Sequence, residues 1–170
     1  TMTRPRVRDD NDDSEIKHIL SHDVDIVVIL VVVTDQCEQR RLGCLFDAHN
    51  QATSHHRVYH VHFCATSERA LELLVMGNTT FDLVLIDIFS GSGLQGHALV
   101  PLIKAKVPLA RRPSLVMFSA LRDGPLALAC LGGGASAFLV KPIHLDTIAF
   151  PGSIAQVAVG SDDDPAAHLP

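Results

Sequence analysis

The chain has 170 residues, 47% of them hydrophobic and 19% charged. That composition fits one domain with tails and a sizeable core, and argues against wholesale disorder. A net charge of -5 offers no basic surface for nucleic acid and favours solubility. The longest apolar run, Ile26 to Val33, is far too short to span a bilayer. The first residues are polar and lack the apolar segment of a signal peptide. Cys37, Cys44, Cys64 and Cys130 form neither a CxxC nor a zinc-type spacing. The expectation is a cytoplasmic protein (nuclear if eukaryotic) with reduced thiols and no membrane or nucleic-acid contact through this domain.

In chain order, residues 1–24 are polar and mixed in charge, with Asp9, Asp10, Asp12, Asp13 and Glu15 close together, and read as a mobile arm, with a short helix allowed around Ser14 to Leu20. Asp25 to Val33 is β-branched and apolar on both faces, as in a central parallel strand. Gln36 to about Asp47 has helical spacing, and a polar loop, Ala48 to His56, follows. Val58 to Cys64 is the second strand. Ser67 is placed to cap a helix over Glu68 to Met76, and Gly77 to end it in the left-handed conformation. Phe81 to Asp87 is the third strand. Pro101 places the start of the third helix near Leu99 or Val100, with its end near Lys106.

Leu115 to Ser119 forms the fourth strand. Asp123-Gly124-Pro125 opens a helix to about Leu131, and a triple glycine stops it. Ala137 to Val140 is the fifth strand, and a last helix from about Leu145 is interrupted by Pro151-Gly152. From Gly160 the chain is an acidic tail. The domain therefore spans residues 25–159, flanked by the 1–24 arm and the 160–170 tail. The pattern is (βα)5, an α/β doubly wound sheet of five parallel strands.

Ligands of such sheets bind at the carboxyl edge of the strands. Asp35, Asp87, Ser119 and Lys141 all fall at strand ends, so two carboxylates, a hydroxyl and an ammonium converge there. Two acids suit Mg²⁺, which keeps several waters and takes few protein ligands. The lysine suits an anion. This combination points to phosphoryl chemistry at Asp87.

The stretches ILVVVTDQCEQRR, ATSERALELL, FDLVLIDIFSGSGLQG, SLVMFSA and GGGASAFLVKPIHLDTI resemble the receiver domain of two-component response regulators and hybrid histidine kinases. The resemblance covers about residues 25 to 150. It implies a flavodoxin-like fold with strand order 2-1-3-4-5. It implies that Asp87 accepts a phosphoryl group from phosphohistidine. It assigns Mg²⁺ to Asp35, Asp87 and the main-chain carbonyl of Phe89. It assigns Lys141 to the phosphoryl oxygens, Ser119 and Phe138 to the conformational switch, and Ala120 to the space the switch needs. The cis bond expected at Lys141-Pro142 also comes from the resemblance. So do the expected partners, a histidine kinase or histidine-phosphotransfer protein and a homodimer of the domain. Such a domain is not an enzyme beyond its own phosphoryl transfer and dephosphorylation.

Three positions depart from the family pattern. Thr34 stands where the first of two adjacent acids is usual, so it ligates a metal at most weakly or through a water. The loop after Asp87 lacks the usual proline and acid. Pro151-Gly152 breaks the helix of the usual dimer face. These changes raise a rival expectation, a pseudo-receiver that binds partners without being phosphorylated.

Each residue also has a plainer reading. Asp35 can simply cap the first helix. His60 and His62 share a strand face, but a polar edge strand explains them better than a metal pair. Gly91-x-Gly93-x-x-Gly96 spells a dinucleotide-type motif without the acid expected about twenty residues on. Arg40-Arg41 and Arg111-Arg112 read as solvated charges.

Overall fold

The computed structural model describes residues 24–52, 57–89 and 93–145. The expected arm and the short helix allowed within it, residues 53–56 and 90–92, the last helix expected from about Leu145 and the expected acidic tail fall on residues outside those described.

Five strands form one parallel sheet: β1 (Asp25–Val32), β2 (Arg57–Cys64), β3 (Leu83–Asp87), β4 (Ser114–Ser119) and β5 (Ala137–Val140). Their order is β2-β1-β3-β4-β5, as the resemblance implied. The helices between them are α1 (Gln36–Gln51), α2 (Ser67–Met76), α3 (Gly96–Lys106) and α4 (Gly124–Gly132). A single 3-10 turn, Leu109–Arg111, precedes β4.

Alternation along the strands splits the core into two layers. Leu30, Val32, Val84, Ile86, Leu115 and Met117 face the layer containing Ala70 and Leu74 of α2, Leu99 and Ile103 of α3, and Ala127 and Cys130 of α4. Ile29, Val31, Leu83, Leu85, Val116 and Phe118 face the layer containing Leu42 and Phe46 of α1. Covered on both sides, every residue of β3 is buried, which is why this strand reads as a continuous apolar run. The register brings Val32 level with Ile86, Asp87 with Phe118, and Ser119 with Val140. The strand ends that carry polar groups are thereby aligned along one edge.

Several boundaries differ from the expectations. Helix α1 runs to Gln51 rather than ending near Asp47. The cause is Asn50, whose amide donates to the Tyr59 carbonyl at 2.8 Å and whose carbonyl accepts from the Tyr59 N–H at 2.9 Å. This two-way clamp fastens a polar last turn to β2. Thr66, not Ser67, caps α2, its hydroxyl accepting from the Arg69 N–H at 3.2 Å. Ser67 is buried inside the first turn. Gly77 ends that helix in an extended conformation with φ -72°, not a left-handed one.

Helix α3 begins at Gly96 and contains Pro101 in its second turn. Only the bond to the His97 carbonyl is forfeited there, and both residues are exposed to water. Burial of Leu99, Val100 and Ile103 offsets that loss. Gly96 is buried against the Asp87 carbonyl, where a side chain would collide, and its N–H donates to the Ile88 carbonyl at 3.2 Å.

Phe46 is wholly enclosed and meets the Tyr59 ring edge-on at 5.4 Å. Replacing it removes a large fraction of the α1 layer. Phe46→Ala is expected to cost roughly 3–5 kcal/mol, measured as a lowered midpoint in urea unfolding; a change under about 1 kcal/mol would mean that α1 does not pack as described.

Candidate functional site

The site is built from the ends of β3, β4 and β5. Asp87 closes β3 with only 7% of its side chain exposed, and Lys141 follows β5 with 21% exposed. The Lys141 ammonium donates to Asp87 Oδ2 at 2.6 Å. Asp87 Oδ1 accepts the Phe89 N–H at 3.2 Å. A carboxylate this buried requires such partners, because desolvation otherwise disfavours its charge. The ammonium also lies 5.1 Å from the centroid of the buried Phe118 ring. That distance fits a cation–π contact. Sequence reading missed Phe118, although its place across from Asp87 in the β3–β4 register is the signal that finds it.

Two backbone bonds hold the three strand ends together. The Lys141 N–H donates to the Ser119 carbonyl at 2.8 Å, and the Ile88 N–H to the Phe118 carbonyl at 3.1 Å. Ser119 is fully buried and its hydroxyl oxygen accepts the Leu121 N–H at 3.0 Å. Ala120 beside it is exposed. Phe138 is buried in β5, in the layer that contains Met117, Ala127 and Cys130. The peptide bond between Lys141 and Pro142 is cis.

Asp35 and Thr34 follow β1. Asp35 is exposed and caps α1, Oδ1 accepting the Cys37 N–H at 2.7 Å and the Glu38 N–H at 3.4 Å. The Thr34 hydroxyl donates to the Ala65 carbonyl at 2.7 Å, which turns it toward the end of β2. Asp35, Asp87 and the Phe89 carbonyl are hard oxygen donors, a chemistry that fits a Mg²⁺ ion retaining most of its waters. Among the described residues no group of three His, Cys, Asp or Glu side chains gathers into a metal-binding set.

Several other candidates resolve into structural parts. His60 and His62 lie exposed on the edge strand β2, and the His62 ring meets Phe81 edge-on at 5.4 Å. Arg111 and Arg112 are not merely solvated. Arg111 donates to the Gly77 carbonyl at 2.9 Å, and Arg112 to the Lys104 and Val107 carbonyls at 2.6 and 3.1 Å. Of the GxGxxG glycines, Gly96 opens α3 directly, contrary to the delayed helix expected from Pro101, and it packs on the Asp87 carbonyl.

No family model and no curated protein matches the chain. Solved structures do. The Francisella response regulator 1452 receiver domain superposes with a TM-score of 0.53 at 18% identity, covering 71% of this chain and 88% of that one. The BeF3-activated N-terminal receiver domain of RstA from Klebsiella pneumoniae gives a TM-score of 0.55 at 21% identity, covering 68% and 86%. A two-component response regulator from Clostridium difficile gives 0.56 at 18% identity, covering 71% and 87%. The chain has the fold of a response-regulator receiver domain.

Within this receiver fold, the loop after Asp87 is held in part by a side chain from the first turn of α2. Glu68, in the first turn of α2, accepts the Leu94 N–H at 2.7 Å. Gly93 adopts φ +114°. The glycine is thus needed for its conformation, and a side chain there would push the Glu68 carboxylate aside.

The Leu94 N–H holds the Glu68 carboxyl below the usual carboxylate range, and its own helix N–H and the Thr66 hydroxyl add to this. A depressed carboxylate contributes its tether above the unfolded pKa and loses it as pH falls through the folded one. The Leu94 amide resonance is therefore expected to move upfield in NMR with a midpoint below the ordinary value of about 4.3, and in Glu68→Gln it should no longer titrate with that midpoint. An unmoved Leu94 signal in the wild type would contradict the tether.

Proposed function

We propose that residues 25–159 form a phospho-accepting receiver domain in which Asp87 takes a phosphoryl group from a phosphohistidine donor. The observation that carries this reading is the Lys141 ammonium 2.6 Å from Asp87 Oδ2, with the buried Ser119 hydroxyl at the end of the adjacent strand. In the transfer, an Asp87 carboxylate oxygen forms the new P–O bond as the P–N bond of the donor breaks. The imidazole leaves with the electron pair of that bond. Lys141 offsets charge on the phosphoryl oxygens, and its pairing with Asp87 in the resting state keeps it within reach.

Asp35, Asp87 and the Phe89 carbonyl would hold Mg²⁺, which supplies further charge neutralisation when bound. With Thr34 in place of an acid, its affinity is expected to be lower than that of a site with one more carboxylate. Ser119, given room by Ala120, would turn toward the phosphoryl group. Phe138 would repack in response, carrying the change to the α4 side of the sheet. The donor would be a histidine kinase or histidine-phosphotransfer protein, and the domain would signal through its changed surface, including self-association. Solved structures with this fold include a BeF3-activated receiver domain and a CheX-CheY-BeF3-Mg+2 complex, which supports using the same probe here.

A second reading has its own support. The Thr34 hydroxyl is engaged with Ala65 and the Asp35 carboxylate with the α1 N-terminus. A domain whose metal ligands serve structure in this way would act as a phosphorylation-independent interaction module. Titration with beryllofluoride and Mg²⁺, followed by NMR, separates the two. The phospho-acceptor reading expects shifts at Ser119, Phe138 and Lys141 in the wild type and none in Asp87→Asn. Identical responses in both, or none in either, would favour the interaction module.

A further inference from the structure

The Lys141 ammonium is paired with Asp87, and a second carboxylate is tied to the segment just past Lys141. Glu38, in the first turn of α1, has 13% of its side chain exposed. Both of its oxygens accept from the Arg41 guanidinium, at 2.9 Å each. The same guanidinium donates its Nη1–H to the Ile143 carbonyl at 3.3 Å, two residues past Lys141. Arg41 therefore joins Glu38 to the segment that carries Lys141. The Glu38 carboxyl is held below the usual carboxylate range by its Arg41 bonds first, and the nearby Lys141 charge adds to the effect.

We propose that Arg41 is a positioning residue: by occupying both oxygens of Glu38, it removes a rival acceptor and keeps Lys141 on Asp87. A planar guanidinium satisfies both oxygens of a carboxylate at once, which a single ammonium cannot do. Without Arg41, Glu38 becomes a poorly solvated carboxylate lacking its partner, a costly state. Lys141, on a flexible four-carbon stem, then turns toward Glu38 and leaves Asp87 short of its cation. The plainer account is that Glu38 and Arg41 form an ordinary helix pair of the i,i+3 kind, with Arg41 also bracing Ile143.

The inference rests on the proposed reading for the purpose of Lys141, but its test needs no phosphoryl group. In the full chain at neutral pH, NMR reads the Lys141 Cε and Nζ and the Asp87 Cγ resonances. Arg41→Gln is expected to displace all three, and Glu38→Gln alone to leave them near their wild-type positions. The double variant Glu38→Gln/Arg41→Gln should recover most of the displacement, although its bond to Ile143 is still missing. Arg41→Lys, which keeps a charge but not the fork, should give an intermediate displacement and covers the case in which Arg41→Gln does not fold. A double variant as displaced as Arg41→Gln would overturn the proposal, since Arg41 would then act only through the Ile143 carbonyl. Resonances unmoved in both Arg41→Gln and Arg41→Lys would overturn it as well. A chain that shows this recovery but ignores beryllofluoride would sink the phospho-acceptor reading and leave the role of Arg41 standing.

Discussion

The constraint on which the site depends is a carboxylate buried at the end of a central strand. Asp87 sits where β1 and β4 flank β3 and both sheet faces are covered. A charge in that position is tolerable only with close partners. Lys141 supplies the main one, at 2.6 Å. The β4–β5 register, the Lys141 N–H bond to Ser119 and the Phe118 ring together bring that lysine to the right place. Packing, register and electrostatics thus converge on one ion pair. Unpaired, the same two groups would destabilise the edge they occupy.

Around this pair the edge is tied down by side chains from the preceding helices. Glu68 of α2 holds the loop after Asp87 through Leu94. Arg41 of α1 holds the segment after Lys141 through Ile143. The family pattern leads one to expect a stiffening proline in the Asp87 loop. Here a carboxylate and a left-handed glycine bind part of that loop instead. This arrangement preserves loop geometry by hydrogen bonding rather than by backbone restriction, and makes that geometry sensitive to the state of Glu68.

Much of this was legible in the residues themselves. The continuous apolar strands β1, β3 and β4 announce a parallel sheet because they are buried on both faces. Asp35, Asp87, Ser119 and Lys141 stand at strand ends, and register alone places three of those ends side by side. What could not be read was long-range and specific. The last turn of α1 looks like loop, because Asn50 is polar and its stabilising partner, Tyr59, lies in the next strand. Pro101 suggested a later helix start, because neither the burial of Gly96 against Asp87 nor that of the residues around the proline is visible in local propensity. Arg41 looked like a surface charge for the same reason, since its partner Ile143 is about a hundred residues away in the chain. Asp35 shows the opposite outcome. The plain reading of a helix cap is what its hydrogen bonds display, and any metal-binding role must share that carboxylate with the cap.

The most direct test of the central claim is a double-mutant cycle on Asp87 and Lys141, read by urea unfolding at neutral pH. If the ion pair organises the edge, Lys141→Met leaves a buried carboxylate without its cation and costs roughly 3 kcal/mol. Combining it with Asp87→Asn should then recover most of that loss, because both charges are gone. Additive effects in the double variant, or a Lys141→Met variant as stable as the wild type, would contradict the account.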